Sequence, residues 1–166
     1  MSRPGTAPSS TETHDVINQP PPFSDVNLYT SDRALGAAVE REGGGWAAAS
    51  LDTYGGLMGS ARVYELGRQA NRHSPELRTH DRFGHRIDEV EYHPAWHEVM
   101  RIQIEHEVHN LPWRHRRPGA HVARLAKHYI LAQVEAGSAC PITMTFASLP
   151  ALEHEPRVVD EWKPRL

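Results

Sequence analysis

Apolar residues recur at spacings of three and four along most of this chain, the pattern of helices with one buried face. In "YTSDRALGAAVEREGGG" the stripe Ala34, Leu35, Ala38 and Val39 follows Ser31, a good N-cap, and Asp32, which suits the positive end of a helix. Gly43, Gly44 and Gly45 stop it. A second helix is predicted from about Ser50 to Ala70, carried by Leu51, Tyr54, Leu57, Met58, Ala61, Leu66 and Ala70. Its glycines, Gly55, Gly56, Gly59 and Gly67, each cost about 1 kcal/mol relative to alanine, and close approach by another helix would explain them.

The period changes in "PELRTHDRFGHRIDEVEY". Two short runs flank "DRFG", which predicts a small β-hairpin near residues 76–90 with Gly84 in a positive-φ position. It has too little apolar surface to be a sheet core. A longer helix is then predicted from about Pro94 to Asn110, with Trp96, Val99, Met100, Ile104 and Val108 inward and Arg101, Glu105 and Glu107 among the polar positions. "LPWRHRRPG" follows as a loop.

From about Ala120 to Gly137 the polar positions His121, Lys127, His128 and Glu135 all fall within about 60° of Arg124 on a helical wheel. The narrow stripe predicts a nearly surrounded helix whose polar edge meets solvent. Gln133 then sits at the centre of the apolar arc, where an amide needs hydrogen-bond partners. Next comes an uncharged run of 17 residues between Glu135 and Glu153. A membrane helix needs about 20 mainly apolar residues, whereas this run contains Ser138, Thr143, Thr145 and Ser148 and is interrupted by Pro141 and Pro150. It predicts a core helix with Pro141 in its first turn. Two consecutive segments that are apolar nearly all round form a central pair, so the predicted fold class is all-α: an antiparallel helical bundle with one small hairpin.

Composition refines this picture at the ends and at the surface. Residues 1–24 combine Pro4, Pro8, Pro20, Pro21 and Pro22 with Ser and Thr and few large apolar groups, which predicts a disordered tail ending in an extended "NQPPPF" that lies on a partner surface. The rest, 25–166, is one domain's length. A net charge of -3 gives no general attraction to a polyanion, so nucleic-acid binding by this chain has no electrostatic support. The single cysteine, Cys140, can form no internal disulfide and reads as a small buried hydrophobe. With no apolar leader in "MSRPGTAPSSTETHD", a cytoplasmic protein is expected.

Motifs for chemistry are few. Twelve histidines include His93 and His97 at i, i+4 and His106 and His109 at i, i+3. The zinc-protease pattern fails, because "HEVMR" places Arg101 where the second histidine belongs. "GGGW" and "YGGLMG" lack the lysine and the strand-to-helix setting of a phosphate loop, and "RHRRPG" is short enough to be a solvated loop. No metal site and no catalytic residue is expected.

Longer stretches say more. "NLYTSDRALGAAVEREGGGW", "YELGRQANRHSPELRTHDRFGHRIDEVEYHPAWHEVM", "VHNLPW", "HVARLAKHYILAQVEAGSACPITMTFA" and "EWKPRL" together resemble the amino-terminal domain of the AidB family, adaptive-response flavoproteins on the acyl-CoA dehydrogenase fold. The resemblance runs in order from Asn18 to Leu166. It implies a helical domain that packs, in whole family members, against a middle β-domain and a carboxy-terminal four-helix domain, with FAD held among them in a homotetramer linked to the DNA alkylation response.

The family's flavin-holding segment, its catalytic-base region and its basic DNA-binding surface have no counterpart in residues 1–166. The resemblance therefore implies a truncated or split-off amino-terminal part, inactive alone, with no FAD and no direct DNA binding of its own. It gives the uncharged run a second role: Cys140, Thr143, Met144 and Phe146 become one wall of the acyl pocket in front of the flavin ring. Plain core packing is the competing reading of these four. An independent helical interaction module without enzymatic activity is the alternative for the whole chain.

Overall fold

A computed structural model describes residues 15–165, apart from the side chain of Pro164. The part of the tail before Asp15 lies outside the described residues. The expected class holds: helices dominate, with one two-stranded antiparallel sheet. In chain order they are α1 (Arg33–Arg41), α2 (Ala48–Met58), α3 (Ala61–Arg72), β1 (Glu76–His80), β2 (Arg86–Glu91), α4 (Pro94–Glu105), α5 (Leu111–Arg114), α6 (Ala120–Val134), α7 (Ala139–Leu152) and α8 (Pro156–Trp162). No helix among the described residues is long and apolar enough to cross a membrane.

Several boundaries move from their predicted places. The N-cap of α1 is Asp32, whose carboxylate accepts from the Leu35 amide, while the Ser31 hydroxyl donates back to the Asn27 carbonyl. The single helix expected over 50–70 is two, because Ser60 caps a new start at Ala61 by accepting from the Val63 amide. What approaches two of its glycines is the bend and turn of residues 25–29 rather than a helix. A Cβ on Gly55 would lie 2.7 Å from the Tyr29 nitrogen, and one on Gly59 would overlap the Val26 carbonyl. The segment of residues 25–29 is tied there by Asp25 N–H to Gly59 O at 2.7 Å and Leu28 N–H to Gly55 O at 3.1 Å. Gly67 alone meets another helix's end, at the Val134 carbonyl.

The hairpin forms as expected, with Gly84 at φ 84° and the Asp81 carboxylate accepting from the Phe83 and His85 amides across the turn. It is exposed on both faces except near Ile87. Its base is the junction of α3 and α4, which pack against each other and share an Arg62–Glu98 ion pair at 2.5 Å. Along α4 the inward residues are Ala95, Val99, Ile102 and Gln103; Ile104, expected inside, is half exposed. Gln103 takes its place, accepting from the Tyr54 hydroxyl at 2.5 Å, so the buried amide and phenol satisfy each other. Part of the expected loop after α4 is the short α5.

Helix α6 crosses behind α2 and joins the two halves of the core. Ile130 and Leu131 meet Tyr54, Met58, Val63, Val99 and Ile142, while Ala120, Ala123 and Ala126 meet Val39, Ala47 and Leu51. The predicted phase of this helix is wrong. Gln133 is exposed, and Arg124, Lys127 and Glu135, assigned to a solvent edge, are 4%, 2% and 3% exposed. Leu125 and Tyr129 point outward instead. The wheel treated every charge as a solvent marker, whereas these three charges each serve a helix end.

Candidate functional site

The surface built by α5, α6 and α7 concentrates the unusual chemistry of the chain. It starts where α4 ends. There the backbone turns through Glu107 at φ 58°, and the carbonyls of His106 and Val108 are left facing α6. Lys127 Nζ donates to the His106 carbonyl at 2.8 Å and Arg124 Nε donates to the Val108 carbonyl at 3.0 Å. Cations at the negative end of a helix are favourable, and here they also fill acceptors that would otherwise be orphaned. Burial lowers the pKa of both side chains from their ordinary values, with Glu107 opposing the shift at Lys127. Glu135 performs the opposite service for α7. Its two carboxylate oxygens accept from the Gly137 amide at 2.7 Å and the Ser138 amide at 2.6 Å.

Arg124 then reaches α7. Its Nη2 donates to Thr143 Oγ1 at 3.2 Å, and its guanidinium carbon lies 4.0 Å from the centre of the Phe146 ring. Thr143 Oγ1 is also 3.1 Å from His128 Nε2. While accepting from the guanidinium, the hydroxyl can donate to Nε2 of a neutral imidazole or accept from it, so the direction of this bond follows the tautomer of His128. Burial lowers the pKa of His128, with Arg124 adding to the shift, so the neutral ring is favoured. The Arg124, Thr143 and His128 seam therefore holds α6 and α7 in register. It is a positioning device, since the Thr143 oxygen is engaged by the cation rather than free to attack.

Phe146 is enclosed by aromatic neighbours. Trp113 stacks on it at 5.0 Å, and His121 meets both rings edge-on at 5.4 Å and 5.8 Å. The indole N–H of Trp113 donates to the Phe146 carbonyl at 3.0 Å. That carbonyl is four residues before Pro150, which lies inside α7 and has no N–H to give it. The indole supplies the missing donor.

Of the four predicted wall residues, Thr143 and Phe146 face the Arg124 seam, while Met144 and Cys140 lie on the bare side of α7. Met144 is 68% exposed, and Cys140 is exposed rather than buried as expected. Cys140, Met144, Ala147 and Ala151 make a continuous uncharged stripe at three- and four-residue spacing along α7. Beside it Met144, Thr145, Ser148, Leu152 and Trp162 of α8 line a shallow apolar groove of about 510 Å³. Leu149, by contrast, is core. The sequence reading missed Trp113 and misassigned Arg124 and Lys127. The signal was present in the chain: two cations three apart on a mostly apolar helix, preceded by a turn that must end another helix.

The His106 pKa is likewise lowered, by burial first and then by Lys127. A histidine whose folded pKa lies below its unfolded value binds fewer protons when folded, so stability is undiminished above the unfolded value and falls as pH drops through it. We expect the melting temperature to decline between about pH 6.5 and pH 5. Glu98 does not account for that window, because Arg101 and Arg62 hold it down to about 2. Melting curves across it test this; a flat profile for wild type, or an equal slope in His106→Gln/His128→Gln, would assign the protons elsewhere.

Comparison with known proteins adds identity to this geometry. Residues 18–166 match the family model described as "Adaptive response protein AidB N-terminal domain". The chain is 52% identical over 142 residues to "Putative acyl-CoA dehydrogenase AidB" of Escherichia coli strain K12, a match covering 85% of this chain and 26% of that protein. It thus spans about a quarter of the length of this curated relative. Among solved structures it is similar to Caenorhabditis elegans ACDH-11 in complex with C11-CoA, with a TM-score of 0.73 and 21% identity over 90% of this chain and 27% of that one. It is also similar to Bd2924 in its apo form, with a TM-score of 0.70 and 22% identity over 78% of this chain and 27% of that one. The two likenesses show the fold; the family match and the 52% identity show the kinship, and the chain belongs to the AidB N-terminal domain family of acyl-CoA dehydrogenase-like proteins.

Proposed function

We propose that residues 25–166 act as the amino-terminal helical domain of an AidB-like, FAD-dependent acyl-CoA dehydrogenase family protein of the DNA alkylation response, and that its α7 face is one wall of the acyl and flavin pocket. The observation that carries this reading is the bare stripe on α7. A 14-residue helix without a single charge leaves Cys140, Met144, Ala147 and Ala151 to solvent, and such a face is what a second domain or a bound acyl group would cover. Its inner side is locked by Arg124, Thr143 and Phe146, so the wall is rigid before anything meets it. The homotetramer, the cytoplasmic setting and the contact with middle and carboxy-terminal domains belong to the same proposal.

Flavin needs more than a wall. A pyrophosphate is held by free backbone N–H groups at a helix start or by converging cations. At the start of α7 the amides of Gly137 and Ser138 are already taken by Glu135, whose negative charge opposes a phosphate. The residues described here fit one face of an isoalloxazine ring and do not fit the rest of FAD. In this reading the chain catalyses nothing by itself, and a flavin-holding segment must complete the site.

Titration of the purified chain with FAD at micromolar concentration is expected to leave the flavin fluorescence unquenched and the protein colourless. Saturable quenching, or a yellow protein on purification, would show that this chain holds the cofactor alone and would overturn the division of labour proposed here.

A further inference from the structure

The basic run of residues 114–117 stands out in a chain of net charge -3, and it borders a cavity that the proposed acyl and flavin pocket does not use. We propose that this cavity binds a small phosphate monoester, with Arg116 and Arg117 on the phosphate and the Trp113 indole against its substituent.

The cavity, of about 320 Å³, lies where α5, the loop after it, the first turn of α6 and the end of α7 meet. Pro112 and Trp113 form an apolar wall, and Arg116, Arg117, His121 and Glu153 supply the polar groups. The basic residues of the run are not equivalent. Glu107 takes Arg114 at 3.2 Å and His115 at 2.8 Å, and neither of these lines the cavity. Among the described residues no carboxylate pairs with Arg117, whose guanidinium carbon instead lies 4.2 Å from the centre of the Trp46 ring. A guanidinium lying on an indole keeps its edge N–H groups for another acceptor.

The backbone beside Arg117 is fixed before any ligand arrives. The Trp46 indole N–H donates to the Pro118 carbonyl at 3.1 Å, and the Ala120 amide donates to the Arg117 carbonyl at 3.2 Å. Gly119, at φ 76°, sits so close to the chain before η1 that a Cβ there would overlap the Gly43 carbonyl. Arg116 meets Glu153 at 3.2 Å, with both side chains open to solvent at 68% and 46%. Such an exposed pair contributes little, so an incoming anion can displace Glu153 from it. Two guanidiniums suit a group with several equivalent oxygens and more than one charge, which a phosphate offers and a carboxylate does not. A monoester carries a charge of about −1.5 to −2 at neutral pH and leaves one oxygen for a substituent that Pro112 and Trp113 would cover. The space admits a phosphate and a small ring but not a dinucleotide, and it lies apart from the bare stripe of α7.

Isothermal titration calorimetry of the full 166-residue chain with phenyl phosphate tests this, with inorganic phosphate and benzoate as companions. Phenyl phosphate is expected to bind saturably, about tenfold or more tightly than inorganic phosphate, and benzoate to give no saturable signal. Arg116→Gln and Arg117→Gln should each weaken binding by about tenfold or more. Arg117 also braces Trp46, whereas Arg116→Gln gives up only an exposed contact with Glu153 and so carries the test if the other variant misfolds. Glu153→Gln removes the competing acceptor and should tighten binding several-fold, an effect that damaged folding cannot imitate. Arg114→Gln removes the same charge outside the cavity and should leave the affinity within about twofold of wild type. Absence of saturable binding at millimolar phenyl phosphate overturns the proposal. So does an equal loss in Arg114→Gln, which would mean general attraction to the basic run. Equal affinity for inorganic phosphate overturns it too, since Trp113 and Pro112 would then cover no substituent.

Discussion

Gly59→Ala is expected to destabilise the chain by roughly 3 kcal/mol or more, the upper range for overpacking a buried site. The backbone at Gly59 is helical, with φ of −78°, so alanine has no conformational objection to it. Space is the whole problem. The added methyl would overlap the Val26 carbonyl, which is main chain and cannot rotate away. Relieving the clash means lifting the segment of residues 25–29 and losing the bonds from Asp25 to Gly59 and from Leu28 to Gly55. Leu28, 2% exposed in the main core cluster, would move with them. Gly36→Ala is the control. Its Cβ would meet nothing within 4 Å on the exposed side of α1, so a gain of about 0.5 to 1 kcal/mol is expected from helix propensity alone. At about 2 to 4 °C per kcal/mol for a chain of this size, the two melting temperatures should separate by about 7 °C or more. Equal shifts would mean that the close approach of residues 25–29 is not what this glycine serves.

Arg124→Met should cost about 2 to 4 kcal/mol, and Lys127→Leu about 1 to 3 kcal/mol, because each leaves a buried carbonyl without its donor. Removing a buried charge can be neutral when a hydrophobe of similar volume replaces it. The orphaned acceptor decides the sign here: Val108 O loses Arg124, and His106 O loses Lys127. Arg124 loses more, since the stacking on Phe146 and the bond to Thr143 go with it. Gln133→Leu, on the exposed face, should fall within about 0.5 kcal/mol of wild type. Urea unfolding of the three variants measures the differences. A large loss at Gln133 with none at Lys127 would restore the phase that the wheel suggested. The double variant Arg124→Met/Lys127→Leu should cost less than the two single losses combined, because both side chains hold the same end of α4.

These residues also show which parts of the fold a sequence discloses. The hairpin was legible because Gly84 and the polar runs around it leave one local solution, α1 and α4 from their apolar period, α6 from its narrow polar stripe, and α7 from an uncharged run opened by Pro141. The break between α2 and α3 was not. Period continues smoothly through Gly59 and Ser60, and only the tertiary contact with Val26 gives the chain a reason to restart there. Helix phase failed at α6 for a related reason. A lysine or arginine that ends another helix looks, one residue at a time, like one that meets water. Of the four wall residues, the sequence placed all on α7 but could not separate the two that face Arg124 from the two that face outward, since the partner that sorts them is a side chain 16 to 22 positions away.

The bond from the Trp113 indole to the Phe146 carbonyl ties together two choices that lie far apart in the chain. Pro150 removes an amide from the middle of α7, and Trp113 returns a donor to the carbonyl thereby left vacant. Neither residue has its present advantage without the other. With any ordinary amide at position 150, the carbonyl regains its helical partner and the indole N–H becomes a second donor to it rather than the one that fills its place. With Phe or Leu at position 113, the proline becomes a plain defect in a helix. In evolutionary terms the pair should drift together or not at all, a lineage that exchanges one being pressed to exchange the other.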